Sequence, residues 1–242
     1  MMKKNGFTLA EVLITLSIIG VVATMTLPAL MTNTQEQQAK TGLKKAISVL
    51  SEAVQMHQAV ENTDYATLAK YGDVTLDATD ADNKDSLATI FHNRLQLDYK
   101  LIGEGKAGIT VGVGEGTARF TQTVPLRDGT AIIIPAADAD FGENDKKLNT
   151  VDNLPVGFVV VYDTNGFKGP NVLSNCAGNT AGASEEITAG ADTNFGSAEE
   201  EANDFATCGE KGKRVIKDQF LLRLRGTYIQ PEGPAATWAF NN

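Results

Sequence analysis

KKNGFTLAEVLITLSIIGVVATMTLPAL, residues 3–30, carries a single charge once its two opening lysines are passed. Lys3 and Lys4 precede Gly6, and from Phe7 to Leu30 the run is apolar apart from Glu11, five residues into the block. A helix rises about 1.5 Å per residue, so Phe7 to Leu27 would cover roughly 31 Å, which matches the roughly 30 Å hydrocarbon core of a bilayer. The block is therefore long enough to cross a membrane once. A carboxylate near one end of such a span costs on the order of a few kcal/mol and calls for a partner. The block itself holds no lysine or arginine that could be one.

Cleavage after Gly6 would supply it. Phe7 would then expose a new α-amine, with a pKa of about 8 and a positive charge at neutral pH, and the amine of one copy could neutralise Glu11 of another. The segment Lys3-Lys4-Asn5-Gly6-Phe7-Thr8-Leu9-Ala10-Glu11-Val12-Leu13-Ile14 resembles the cleavage and methylation segment of the type IV pilin and type II secretion pseudopilin superfamily. The resemblance covers about the first 30 residues. It implies that a leader peptidase cuts after Gly6, that Phe7 is N-methylated, and that Glu11 guides the subunit into a helical filament. Two other readings fit less of the segment. An ordinary secretory signal has an apolar region of about 7 to 15 residues with a small-x-small cut site after it, a pattern that Val21-Val22-Ala23 matches only weakly. A plain anchor gives no reason for an acid beside the Gly6-Phe7 junction. No cysteine lies near the block, so a lipoprotein signal is excluded.

The chain has 242 residues, room for an anchor helix and one globular domain with its own core. The net charge of -9 would become -11 if Lys3 and Lys4 left with the first six residues. Such an acidic surface repels nucleic acid and anionic headgroups, and no nucleic-acid partner is expected. Lysines directly before the span orient the N-terminus to the cytoplasm and everything after about residue 30 outside, although Lys40, Lys44 and Lys45 on the far side blur the rule. Outside the cytoplasm Cys176 and Cys208, the two cysteines present, can oxidise to one disulfide.

Beyond the span, Ala39, Leu43, Ile47, Leu50 and Val54 recur every three or four residues with Ala46 and Ala53 beside them, which marks one apolar stripe on a helix running to about Glu61. Pro28 lies inside this long helix and removes a backbone donor, so a kink or local melting is expected there rather than a stop. Residues 62–85 read as a polar surface connection, with Tyr65, Leu68 and Tyr71 as a short helical turn. Residues 86–98 read as a helix capped by Asp85 or Ser86. From Gly108 the period changes to two. Strands are expected at 109–113, 118–124, 132–134 and 156–162, then a hairpin from Gln219 to Gln230 and a closing helical turn at Pro234–Phe240 that carries Trp238. Strands without intervening helices favour an antiparallel sheet. The expected fold is thus α+β, a long helix on an antiparallel sheet as in pilins, with a disulfide-bounded loop near the C-terminus. Its divisions are a leader at 1–6, a transmembrane and assembly helix at 7–30, an amphipathic continuation at 31–62 and an outer domain at 63–242.

Other candidate sites are weaker. Asp163-Thr164-Asn165-Gly166-Phe167-Lys168-Gly169-Pro170-Asn171 resembles a D-x-N-G-x-K-G-P-N stretch of some prepilin-type proteins, and Asn-Gly favours a tight turn. A calcium loop would want glycine and glutamate where Lys168 and Ser174 stand, so a structural turn is the better reading. Between the cysteines lie seven carboxylates and no lysine or arginine, a solvated loop that a disulfide would tether with about 3 to 4 kcal/mol in the chain-entropy model. In position this resembles the disulfide-bounded loop of type IV pilins. Residues 103–108 match G-x-G-x-x-G by letter without a following helix pattern, and read as hairpin punctuation. Lys211, Lys213, Arg214, Lys217, Arg223 and Arg225 form the main basic cluster, expected to pair with the acidic loop rather than with DNA phosphates. His57 and His92 have no sequence partners that suggest a triad or a zinc site, and surface or interface positions are expected for them. No catalytic residue, metal or cofactor is expected.

The sequence therefore predicts a structural subunit in a pilus-like or secretion filament. Its partners would be other copies or related pilins, a prepilin peptidase and methyltransferase, and the assembly machinery of the bacterial inner membrane. It would begin as a single-pass membrane protein and end in an extracellular or periplasmic filament. The alternatives are a membrane-anchored binding or adhesion module that never polymerises, and a secreted enzyme with a mere export signal.

Overall fold

A computed structural model describes residues 8–68, 70–76, 79–80, 83, 85–102, 109, 120–135, 157–174, 176 and 215–242. The chain divides into two compact units, Met1–Gln38 and Ala39–Asn242. Helix α1 spans Leu9–Glu61, and α2 (Leu87–Arg94) and α3 (Tyr99–Ile102) follow. Among the described residues five strands come next, β1 (Phe120–Pro125), β2 (Ala131–Pro135), β3 (Phe158–Asp163), β4 (Gln219–Arg225) and β5 (Tyr228–Pro231), before α4 (Gly233–Asn241). The strands form one antiparallel sheet in chain order. This is the α+β architecture that the shift of period implies.

Period two sorts the strand residues into two clusters. Ile132, Ile134, Val160, Tyr162, Leu222 and Leu224 belong to the main core, whereas Ala131, Ile133, Val161 and Leu221 form a second cluster with Ile109 and Leu173. A sheet covered on both faces explains why β2 and β3 read as unbroken Ile and Val runs rather than as an alternation. On the main side, Leu43, Ala46, Leu50 and Val54 of α1 join the same core, each at most 1% exposed. The expected stripe is therefore the buried face of the helix.

Residues 62–85 depart from the expected surface connection. Tyr65, Leu68, Tyr71 and Val74 are all core residues. The two tyrosines are also held by polar contacts: the Tyr65 hydroxyl donates to the Leu50 carbonyl at 3.3 Å, and the Tyr71 hydroxyl donates to the Val159 carbonyl at 3.0 Å while accepting its N–H at 3.1 Å. Ser86 caps α2, accepting from the Thr89 N–H at 3.3 Å. The helix stops at Arg94, short of the expected 98, because Leu95 is already extended with ψ 152°. Of the strand expected at 109–113 only Ile109 lies among the described residues, and 103–108 lie outside them.

Candidate assembly site in the N-terminal helix

Thr8 is the residue before the first helical position of α1, and Glu11 stands at the third. The Thr8 Oγ1 accepts the Glu11 N–H at 3.3 Å, and Glu11 Oε2 accepts both the Thr8 N–H and the Thr8 hydroxyl at 2.8 Å. This reciprocal pair is a capping box, which satisfies two of the donors that every helix start leaves open. The positive end of the helix dipole further favours a carboxylate in the first turn. The lone acid of the apolar block thus has partners within its own chain, a point the reading of Glu11 as unpaired missed. Threonine three residues before glutamate, at the head of an apolar run, is the signal that could have revealed it. Glu11 Oε1 accepts nothing among the described residues, so one carboxylate oxygen stays open to a further donor.

Leu9–Leu27 is long and apolar enough to cross a membrane, with a mean hydropathy of 2.0. Leu13, Leu16, Ile18 and Ile19 are each more than half exposed, at 56 to 63%. The hydroxyls of this stretch do not break its apolar character, because each bonds back to its own helix: Thr15 to the Val12 carbonyl, Ser17 to Leu13, Thr24 to Val21 and Thr26 to Val22, at 2.8 to 3.0 Å. α1 continues on both sides of Pro28, so the proline removes the N–H that would reach the Thr24 carbonyl without ending the element. Gly6 and Phe7, the expected cleavage and methylation positions, lie outside the described residues.

The other sequence-predicted residues fall elsewhere. Asp163 ends β3 and is fully buried; its Oδ1 accepts the N–H groups of Asn165 at 3.0 Å and Gly166 at 2.8 Å, which makes the expected turn. Burial pushes its carboxyl up to about 6, with the charge of Asp218 adding, against the opposing bonds from Gln219, Asn165 and Gly166. Cys176 is buried, and Cys208 lies outside the described residues together with the acidic segment between them. His57 is 4% exposed rather than superficial. Its Nδ1 accepts from Arg94 Nε at 3.4 Å, and burial first, then the Arg94 charge, hold its pKa below the ordinary histidine value. His92 Nε2 lies 2.9 Å from the Val74 carbonyl. Arg223 pairs with Glu232 through two bonds of 2.6 and 2.8 Å, tying β4 to the start of α4, and the acidic loop expected to face it lies outside the described residues. Lys211, Lys213 and Arg214 lie outside the described residues.

Comparison with known proteins speaks to the N-terminus alone. Residues 1–27 match the family model of the prokaryotic N-terminal methylation motif, the signature of type IV pilins and pseudopilins. The match ends before the unit Ala39–Asn242 begins. No curated protein and no solved structure matches the chain. The capping box and most of the apolar span lie inside the matched residues, and the N-terminal segment is prepilin-like.

Proposed function

We propose that the chain is a structural subunit, cut after Gly6, N-methylated on Phe7 and assembled with other copies or related pilins into a pilus-like or secretion filament. The observation that carries the proposal is the methylation motif over residues 1–27, with Glu11 held at the first turn of an apolar helix whose large side chains stand exposed among the described residues. In the membrane the span anchors the precursor, with its lysines in the cytoplasm and residues 39–242 outside. In the filament the apolar surfaces bury against one another, which replaces lipid contact with protein contact. The Phe7 amine of one subunit then meets the open Oε1 of Glu11 on its neighbour, a charge-assisted contact strengthened by the apolar surroundings. The role is structural, so the peptidase, the methyltransferase and the inner-membrane assembly machinery act on this chain.

Mass analysis of the mature protein tests the first step. Methylated Phe7 at the N-terminus is expected; an intact Met1 would point to a permanent anchor, and a start near Thr24 to ordinary secretion. Substituting Glu11→Ala tests the second. Filaments should be lost while the chain still enters the membrane, and an unchanged filament yield would remove Glu11 from assembly.

A further inference from the structure

Two carboxylates, Asp163 with no exposed surface and Asp218 with 6%, support the segment 163–172. Neither belongs to an ion pair among the described residues. Asp163 gathers the N–H groups of Asn165 and Gly166, and Asp218 those of Asn171 at 2.7 Å and Val172 at 2.9 Å. Gln219 Nε2 reaches Asp163 Oδ2 at 3.0 Å, and Thr164 donates through both N–H and hydroxyl to the Asp218 carbonyl. Asn171 takes the left-handed conformation, φ 51°, and its amide, nitrogen turned inward, donates to the carbonyls of Lys168 at 3.0 Å and Gly166 at 3.2 Å. Burying unpaired carboxylates is expensive, and a simple connection between strands does not require it. What this scaffold holds still is an outward tip: Phe167, Lys168, Gly169 and Pro170 are all exposed, Phe167 at 40%.

A fixed loop that keeps an aromatic ring and an ammonium group in water has the properties of a preorganised contact. We propose that this tip docks onto a second copy of the chain, with Phe167 entering an apolar recess and Lys168 meeting a carboxylate. The choice of partner follows from charge. At -9 per chain, and -11 once the first six residues have left, copies repel one another, and a contact between them is favoured where a cation on one faces the acid excess of the other. A helical filament also joins unlike patches of identical subunits, which suits a projection on one copy and a recess on the next. The inference rests on the filament reading above.

The test places a photo-crosslinking phenylalanine analogue at position 167 of the full chain, in cells that make the protein. Adducts between two copies, mapped by mass spectrometry, are expected in the filament; adducts to another protein alone, or none, would overturn the proposal. In parallel, Phe167→Ser combined with Lys168→Glu should cut filament yield about tenfold or more at an unchanged unfolding midpoint. Equal yield would count as decisively against the contact. The two readings fail separately, because an absence of filaments from wild-type cells would sink the assembly assignment while copy-to-copy crosslinks in the membrane fraction still decide this one.

Discussion

The two halves of α1 have similar helical backbones and opposite surfaces. Between Leu9 and Met31 large apolar side chains stand exposed all around the helix, Ile18 at 60% and Ile19 at 63% among them, whereas between Ala39 and Val54 the apolar residues keep to one stripe and Leu43 and Leu50 are at most 1% exposed. A striped helix has its partner in the same chain; a helix apolar on every side needs an apolar surrounding, and its side chains stand exposed among the described residues. That difference assigns the second half to the folded domain and leaves the first, on the filament reading, to lipid and then to neighbouring subunits.

Truncating a leucine on each side is the strongest way to break this comparison. Leu43→Ala should lower the unfolding free energy by about 2 to 5 kcal/mol, the loss typical of a buried leucine in a close-packed core. Leu16→Ala, at a position 61% exposed, should leave it unchanged. The measurement is denaturant unfolding of the full chain in detergent, followed by the fluorescence of Trp238, the one tryptophan, which lies against the main core. Equal losses at both positions would mean that the halves do not differ in the way their burial states.

Glycines give a finer version of the same contrast. A Cβ on Gly42 would sit 2.7 Å from Thr164 Cγ2 and 2.8 Å from Thr164 Cβ, and Thr164 cannot easily retreat because its N–H and hydroxyl are both bonded to the Asp218 carbonyl. Gly42→Ala should therefore cost about 1 to 3 kcal/mol through overpacking. Gly20 has nothing within 4 Å. Gly20→Ala should leave the unfolding midpoint in place, so any loss of filament yield in that variant reports contact with another chain.

Local repetition decided what could be read from the sequence. The stripe from Ala39 to Val54 and the Ile and Val runs of β2 and β3 repeat at 3.6 and 2 residues, or are apolar throughout, and each became the expected element. Tyr65 and Tyr71 read only as a short turn on a polar connection, too brief a pattern to mark them as the core residues they are, with hydroxyls bonded to the Leu50 carbonyl and the Val159 backbone. α3 has four residues, too few for a helical pattern to show. In the candidate site Glu11 stood out as a lone charge, yet its partner Thr8 was overlooked although it is three residues away. Asp163 was legible as a turn residue. Asp218 and Gln219 were not, since they reach that turn only through the pairing of β3 with β4, a contact across more than fifty positions.

The smallest expected effect lies at the cap of the first half. Thr8→Val removes the hydroxyl that both accepts the Glu11 N–H and donates to Glu11 Oε2, but it keeps the Thr8 N–H bond to the same oxygen. A lost N-cap typically costs about 1 kcal/mol. Because the first turn opens independently of the domain core, that loss should appear as roughly fivefold faster amide exchange at Val12 and its neighbours, with no change in the unfolding midpoint. Thr8→Ser keeps the hydroxyl and should restore protection. In assembly, Thr8→Val leaves the carboxylate in place with less to orient it, so it should slow filament formation without the complete loss expected of Glu11→Ala. If Thr8→Val abolished filaments as fully as Glu11→Ala, the threonine would itself have to touch the neighbouring subunit, and an open Oε1 could no longer account for the docking of the incoming amine.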